Sequence, residues 1–195
     1  MLSDLKSAVR PALVLTLLFA LLLGIAYPLA LTGVGQALFP AQANGSLIRD
    51  KGRVVGSELI GQTFASAGYV HGRPSAAGAD GYDASASSGS NLGPASRALS
   101  DRVAADVATL SETAPGRPVP PDLVTTSASG LDPHISPEAA FAQVGRIAAA
   151  RGMSDAEVRQ RVERAIEPPL LGFFGEPRVN VLMLNRSLDA PPQRP

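Results

Sequence analysis

The chain of 195 residues balances 17 basic against 17 acidic residues, so no cationic surplus points to nucleic acid as a partner. It has no cysteine, which excludes disulfides, thiol catalysis and cysteine-based metal sites. With no tryptophan and few aromatics, a core has to be built from Leu, Val, Ile and Ala, while 19 glycines and 17 prolines predict abundant turns.

Ala12 to Leu31, ALVLTLLFALLLGIAYPLAL, is an uncharged apolar run. As a helix it would extend about 30 Å, the thickness of a bilayer's hydrocarbon core. Lys6 and Arg10 precede it, and the next charge after it is Arg49. Basic residues beside a span stay on the cytoplasmic side. The reading is a cytoplasmic N-terminus over 1–11, a transmembrane helix over 12–31 and an outward-facing remainder. A cleaved signal peptide shares the basic start and the apolar run. The run is longer than a signal's apolar region, however, and no A-x-A-like site closes it, so a retained anchor is expected.

About 160 residues follow the span, enough for one domain; 32–44 read as an exit segment and the domain runs over 45–188. Leu47-Ile48 and Val54-Val55 flank Asp50-Lys51-Gly52, the pattern of a hairpin turn. Residues 58–64 continue as a short helix or strand. Residues 74–94 form a long Gly/Ser/Ala/Asp stretch with turn-forming groups at Tyr82-Asp83 and Asn91-Leu92-Gly93-Pro94.

From Pro94 a helical stripe runs through Leu99, Val103, Val107 and Leu110. The proline-rich 115–122 must be a loop. Leu123-Val124-Thr125-Thr126 is β-prone, and 127–137 is a second compact loop. Ser136-Pro137 marks a helix start, with Phe141, Val144, Ile147 and Ala148 as its apolar stripe and Gly152 as its stop. Ser154 and Glu157 form a capping box before a helix carrying Val158, Val162 and Ile166, which ends at Pro168-Pro169. VNVLML, 179–184, reads as a central strand because both faces are apolar apart from Asn180. The tail, 189–195, is expected to be disordered. The expected core is Phe141, Val144, Ile147, Val158, Val162, Ile166, Val179, Val181 and Leu182. The fold class is a single N-terminal transmembrane helix plus an α+β (mixed α/β) extracytoplasmic domain.

Catalytic motifs are absent from the sequence: it contains neither a Walker loop, a complete GxGxxG nor a GxSxG elbow. Ser129, Asp132 and His134 could be written as a hydrolase triad, but they share one short turn in which all three are ordinary turn formers. A metal site from His71 and His134 with Asp80 or Asp83 has no support from ligand spacing.

GSELIGQTF, YVHGRPSA, YDASASSGSNLGP, PVPPDLVTTSASGLDPHISPEAA and GEPRVNVLMLN follow in that order after one N-terminal span. Together they resemble the C subunit of the bacterial Kdp potassium-transporting ATPase, over essentially the whole chain except its last residues. SGLDPHISPEAA carries the likeness most closely; Ala128 departs from a glycine expected in many members. The resemblance implies a non-catalytic subunit of an inner-membrane complex, with a periplasmic domain. The implied partners are a channel-like potassium-binding A subunit, a P-type ATP-hydrolysing B subunit and a small F peptide. It further implies a chaperone role that raises the B subunit's affinity for ATP. Gln143 is the position matched to a proposed nucleotide contact, beside the plainer reading of a polar residue on a helix face. A free-standing membrane-anchored Ser/His hydrolase and a periplasmic binding or adaptor module are the alternatives.

The loops 71–94 and 127–137 are expected to meet the partner subunit. A solvated linker has no need of Arg73, Tyr82, Leu92, Leu131 or Ile135 among its Gly and Ser. His71, Asp83, Asn91, Asp132 and His134 complete the candidate interface set.

Overall fold

The computed structural model describes residues 2–113, 116 and 118–190. The chain divides into two units, one up to Leu47 and one from Ile48 onward.

The first unit is one long helix and a short one. Helix α1 (Leu2–Leu21) passes through a π-helical turn, Leu22–Ala26, into α2 (Tyr27–Leu38). The wide turn lies just before Pro28, which has no N–H to donate to the preceding turn. Lys6–Leu38, 33 residues, is long and apolar enough to cross a membrane, and its side chains are exposed throughout. The helix does not stop at Leu31 as the apolar run suggested: the exit segment is helical up to Leu38. It breaks at Phe39, whose extended φ of −136° is what a residue before proline prefers. A single turn, α3 (Pro40–Ala43), follows.

The second unit opens within β1 (Leu47–Asp50), which pairs with β2 (Arg53–Ser57) in a two-stranded sheet. Lys51 and Gly52 both take positive φ at the turn, as a two-residue hairpin requires. Residues 58–64 are neither helix nor strand; a tight turn closes at the Ser57–Ile60 bridge. Residues 65–96 contain no helix or strand.

Helix α4 (Arg97–Thr113) follows the stripe of Leu99, Val103, Val107 and Leu110, all half-buried. Of the proline-rich loop expected at 115–122, residues 115 and 117 lie outside the described residues. The β-prone Leu123–Thr126 is not a strand. Pro121–Leu123 forms a 3₁₀ turn, and Thr125 folds back onto the Pro121 carbonyl through its N–H (2.9 Å) and its hydroxyl (2.8 Å). That local hydrogen bonding outcompetes β-propensity.

A three-stranded antiparallel sheet, order β3-β5-β4, is built from β3 (His134–Ile135), β4 (Ile166–Glu167) and β5 (Arg178–Asn180). Ile135 and Ile166 both face Val179 across the sheet. Helices α5 (Pro137–Ala142), α7 (Asp155–Ala165) and α8 (Val181–Asp189) pack beside it, and α6 (Val144–Arg151) packs on α5 and α7. The helix starts and stops follow the sequence. Ser136 caps α5, Gly152 ends α6 with φ +64°, and Ser154 and Glu157 complete a capping box. Ile166, expected on the α7 stripe, instead belongs to β4: Pro168 has no N–H to carry the helix on and restricts Glu167 to extended backbone, and Ile166 is already extended as the C-cap of α7, with ψ 118°.

One element differs in kind. The central strand expected over 179–184 ends at Asn180, and Val181 begins α8. The Asn180 side-chain oxygen accepts from the Met183 N–H at 3.1 Å, and an N-cap of this type turns the chain into a helix. Buried Val181, Leu182, Leu184, Asn185 and Leu188 then follow helical, not alternating, spacing.

Val70, Ile135, Val144, Ile147, Val158, Val162, Val179, Val181, Leu184 and Leu188 form one buried cluster. Phe141 and Ile166 are half-buried against it, and Leu182 is buried. Of the tail expected to be disordered, 191–195 lies outside the described residues.

Candidate partner interface

Two loops, 71–94 and 127–137, are laced together by their own polar groups. The Ser75 hydroxyl donates to the Gly130 carbonyl at 2.6 Å and accepts from the Tyr82 N–H at 2.8 Å. Ser88 N–H and the Ser87 hydroxyl both donate to the Ser129 carbonyl, each at 3.0 Å. A loop of this composition would be a flexible linker on its own. Here the second loop supplies the partners that hold it.

Tyr82 is the keystone of the first loop. Its hydroxyl donates to the Arg73 carbonyl at 2.6 Å. A Cβ on Gly61 would meet its ring at 2.5 Å and one on Gly72 would meet its hydroxyl oxygen at 2.6 Å, both closer than real Cβ contacts come. Burial pushes its hydroxyl up to about 12, with the charge of Asp132 adding to the rise and Arg73 opposing it.

Arg73 lies between two carboxylates, Asp122 at 3.4 Å and Asp132 at 3.9 Å, and also donates to the backbone and hydroxyl oxygens of Thr125. Asp132 accepts the His134 N–H at 2.9 Å and lies 3.4 Å from its Nδ1. Burial alone would raise the Asp132 carboxyl; the His134 hydrogen bonds and charge, with Arg73, hold it below the ordinary carboxylate range. Asp122 accepts the Ser136 N–H at 2.7 Å, linking this cluster to the start of α5. Arg73, Asp122, Asp132 and His134 border an open cavity of about 500 Å³, which Leu170 and Phe174 line in part.

His71 is half-buried. Its backbone N–H donates to Gln143 Oε1 at 2.9 Å, and Gln143 Nε2 returns a bond to the His71 carbonyl at 3.1 Å. Burial and the neighbouring Arg146 charge hold the imidazole below its ordinary value, against a smaller opposing contribution from the Ser66 carbonyl. Gln143 is itself buried. Its remaining capacity is taken by Arg146, which donates to Oε1 at 2.6 Å, and by the Ala139 carbonyl. This amide therefore offers a nucleotide no free donor or acceptor, and neither nearby guanidinium is free to hold phosphate. Arg73 is paired as above, and Arg146 also donates to the carbonyls of Ala67 and Tyr69. The residues around Gln143 do not fit ATP.

The structure thus brings Arg73, Tyr82, Asp132 and His134 together, with Leu131 and Ile135 buried beneath the second loop. Asp83 is exposed; its carboxylate accepts from the Ser85 N–H and hydroxyl, which hold it below the ordinary range. Asn91 and Leu92 are exposed, Asn91 with φ +53°. Sequence reasoning missed Ser75, Asp122 and Asn185. Asp122 sits among prolines and Ser75 in low-complexity sequence, where neither signals a partner far along the chain.

The triad written from the sequence is not assembled. The Ser129 hydroxyl accepts from the Leu131 N–H at 3.1 Å and lies 3.5 Å from the Ser127 hydroxyl, and no hydrogen bond among the described residues joins it to His134. Nor do three or more His, Asp or Glu side chains among the described residues gather as metal ligands.

Residues 9–190 match the family model described as KdpC, the c chain of the K+-transporting ATPase. A potassium-transporting ATPase KdpC subunit of Caulobacter vibrioides is 61% identical over 185 residues, covering 94% of this chain and 93% of its own. The subunit of that name from Nitratidesulfovibrio vulgaris is 59% identical over 184 residues, 93% of each chain. That from Rhodopseudomonas palustris is 53% identical over 193 residues, 93% of this chain and 96% of its own.

Proposed function

The chain belongs to the KdpC family, and from that premise we propose that it is the non-catalytic C subunit of an ATP-driven potassium pump. The observation that carries this is a family match running from within the span through α8, so that membrane helix and folded domain are inherited together. The helix anchors the chain in the bacterial inner membrane with its N-terminus in the cytoplasm and its domain in the periplasm; Lys6 and Arg10 support that orientation. It binds the potassium-selecting A subunit, the ATP-hydrolysing B subunit and the F peptide. Anchor and domain provide two points of attachment, which raises the effective concentration of each.

Raising the B subunit's affinity for ATP is part of this proposal, and it is indirect. The Gln143 amide is committed within its own domain, so the influence passes through the B subunit's conformation. A subunit that binds one conformation better shifts the equilibrium by its differential affinity.

The test is a reconstituted complex assayed with and without this chain. Potassium-stimulated ATPase activity and a lower KM for ATP are expected only with it. ATP hydrolysis by the purified chain alone would contradict the non-catalytic role. Topology is checked in the cysteine-free background: Asp83→Cys should react with an impermeant maleimide from the outer face, and Ser7→Cys should not.

A further inference from the structure

Between β4 and β5 the chain turns through PPLLGFFGEP, residues 168–177. This hairpin is built, not loose. Leu170 and Phe174 exchange both backbone hydrogen bonds, Leu170 N–H to Phe174 O at 3.0 Å and Phe174 N–H to Leu170 O at 2.9 Å. Leu171 and Gly172 take positive φ at the tip, and the Phe173 and Phe174 rings touch at 4.4 Å between centroids. Beyond the long N-terminal helix, Leu171 at 75%, Leu170 at 71% and Phe173 at 71% are the most exposed large apolar side chains among the described residues, and Phe174 beside them is 58% exposed. Four such residues on consecutive turns of a firm hairpin are a contact surface looking for an apolar medium.

We propose that the 168–175 hairpin dips into the lipid surface of the membrane that the chain's own helix crosses. The inference rests on the anchored reading of that helix. Two features of the chain favour lipid. The helix ends at Leu38 and β1 begins at Leu47, a connector that reaches at most about 30 Å even when fully extended. The domain is therefore always near a bilayer, at an effective concentration that a soluble partner does not match. The tip also carries no charge between Glu167 and Glu176, and Glu167 is already neutralised by Arg178 at 2.9 Å. A Leu/Phe tip with no charge to desolvate suits the boundary between headgroups and acyl chains. Since no basic residue lies on the tip, insertion does not depend on anionic lipid.

The native chain has no tryptophan, so one substitution gives a single emitter. Full-length Phe173→Trp is placed in phosphatidylcholine vesicles with and without brominated acyl chains. Phe19→Trp in the span and Leu59→Trp on an exposed turn of the same domain serve as references. The expected result is that position 173 emits at short wavelength and loses intensity in brominated lipid, as position 19 does. Position 59 emits at long wavelength and is quenched by aqueous iodide. If 173 behaves as 59 while 19 is quenched by the lipid, the proposal falls and the anchor stands. If 173 becomes shielded only when the A and B subunits are added, a protein groove is the occupant and the proposal also falls. If 19 itself is untouched by brominated lipid, the anchored reading falls and takes this inference with it.

Discussion

Asn185 holds Val70 by both of its backbone groups: Oδ1 accepts the Val70 N–H at 2.7 Å, and Nδ2 donates to the Val70 carbonyl at 2.9 Å. Both residues are buried. One residue along, Gln143 grips His71 in the same way. An extended segment with no sheet neighbour is thus paired by two side-chain amides from α8 and the α5–α6 junction. Backbone groups buried without partners carry a desolvation cost, and these amides remove it. Asn185→Leu should leave two buried backbone groups unpaired and cost about 2–4 kcal/mol. The check is urea unfolding of the detergent-solubilised chain; a midpoint like that of wild type would mean that water replaces the amide.

The His71 imidazole gives a pH signature. Its folded value lies below the ordinary 6.5, because burial and Arg146 disfavour the charged form. The unfolded chain therefore binds a proton that the folded chain resists. Stability is full above the unfolded value and falls as pH drops through 6.5 towards the lower folded value. His71→Gln should flatten the pH dependence of the melting temperature over that window. Asp132, whose folded value is depressed, contributes in a separate, more acidic range: its stabilisation is present above the unfolded carboxylate value and lost as pH falls below it.

What was legible in the sequence was whatever has a local cause. The Ser136 cap, the Gly152 stop and the Ser154–Glu157 capping box each depend on residues within a few positions, and all are present, as is an N-terminal helix long and apolar enough to cross a membrane. The candidate loops were legible as unusual, since Tyr82 and Arg73 stand out from the Gly and Ser around them. Their actual partners were not, because Ser75 with Gly130 and Asn185 with Val70 are long-range pairings that leave no periodic trace. The strand expected at 179–184 failed for a related reason. A short apolar run satisfies a buried strand or a buried helix equally, and Asn180, the residue that decides, reads as a polar interruption in one and a cap in the other.

Tyr82→Phe removes the hydroxyl that lies against Gly72 and its one hydrogen bond, to the Arg73 carbonyl, and keeps the ring against Gly61. It should cost about 1 kcal/mol. Tyr82→Ala combined with Arg73→Ala removes the ring, the paired guanidinium and the partner of Asp122 and Asp132. That double variant should cost several kcal/mol, in the range expected when a polar network is broken. Thermal unfolding and limited proteolysis of the 71–94 loop read both. If the double variant melts normally but no longer co-purifies with the A and B subunits, these side chains serve the partner surface instead of their own domain.

The sharpest test of α8 lies in two adjacent residues. As a strand, 179, 181 and 183 would share one face and 180, 182 and 184 the other, so that with Val179 and Val181 buried, Met183 would be buried with them. As a helix, residues 181, 184 and 188 share a face, and Met183 turns away. In the structure Leu184 is fully buried at 0% exposure and Met183 is 41% exposed. Leu184→Asp puts a carboxylate into the cluster of Val70, Ile147 and Val158, where nothing pairs with it, and should cost at least about 4 kcal/mol. Met183→Asp stands in the first turn of α8, where a negative charge is favoured by the helix dipole, and should lie within about 0.5 kcal/mol of wild type. Val181→Asp removes a core side chain at the first position of the helix and should resemble Leu184→Asp. Comparable damage from Met183→Asp and Leu184→Asp would mean that the run is buried on both faces, and the helix would be the wrong description of 181–189.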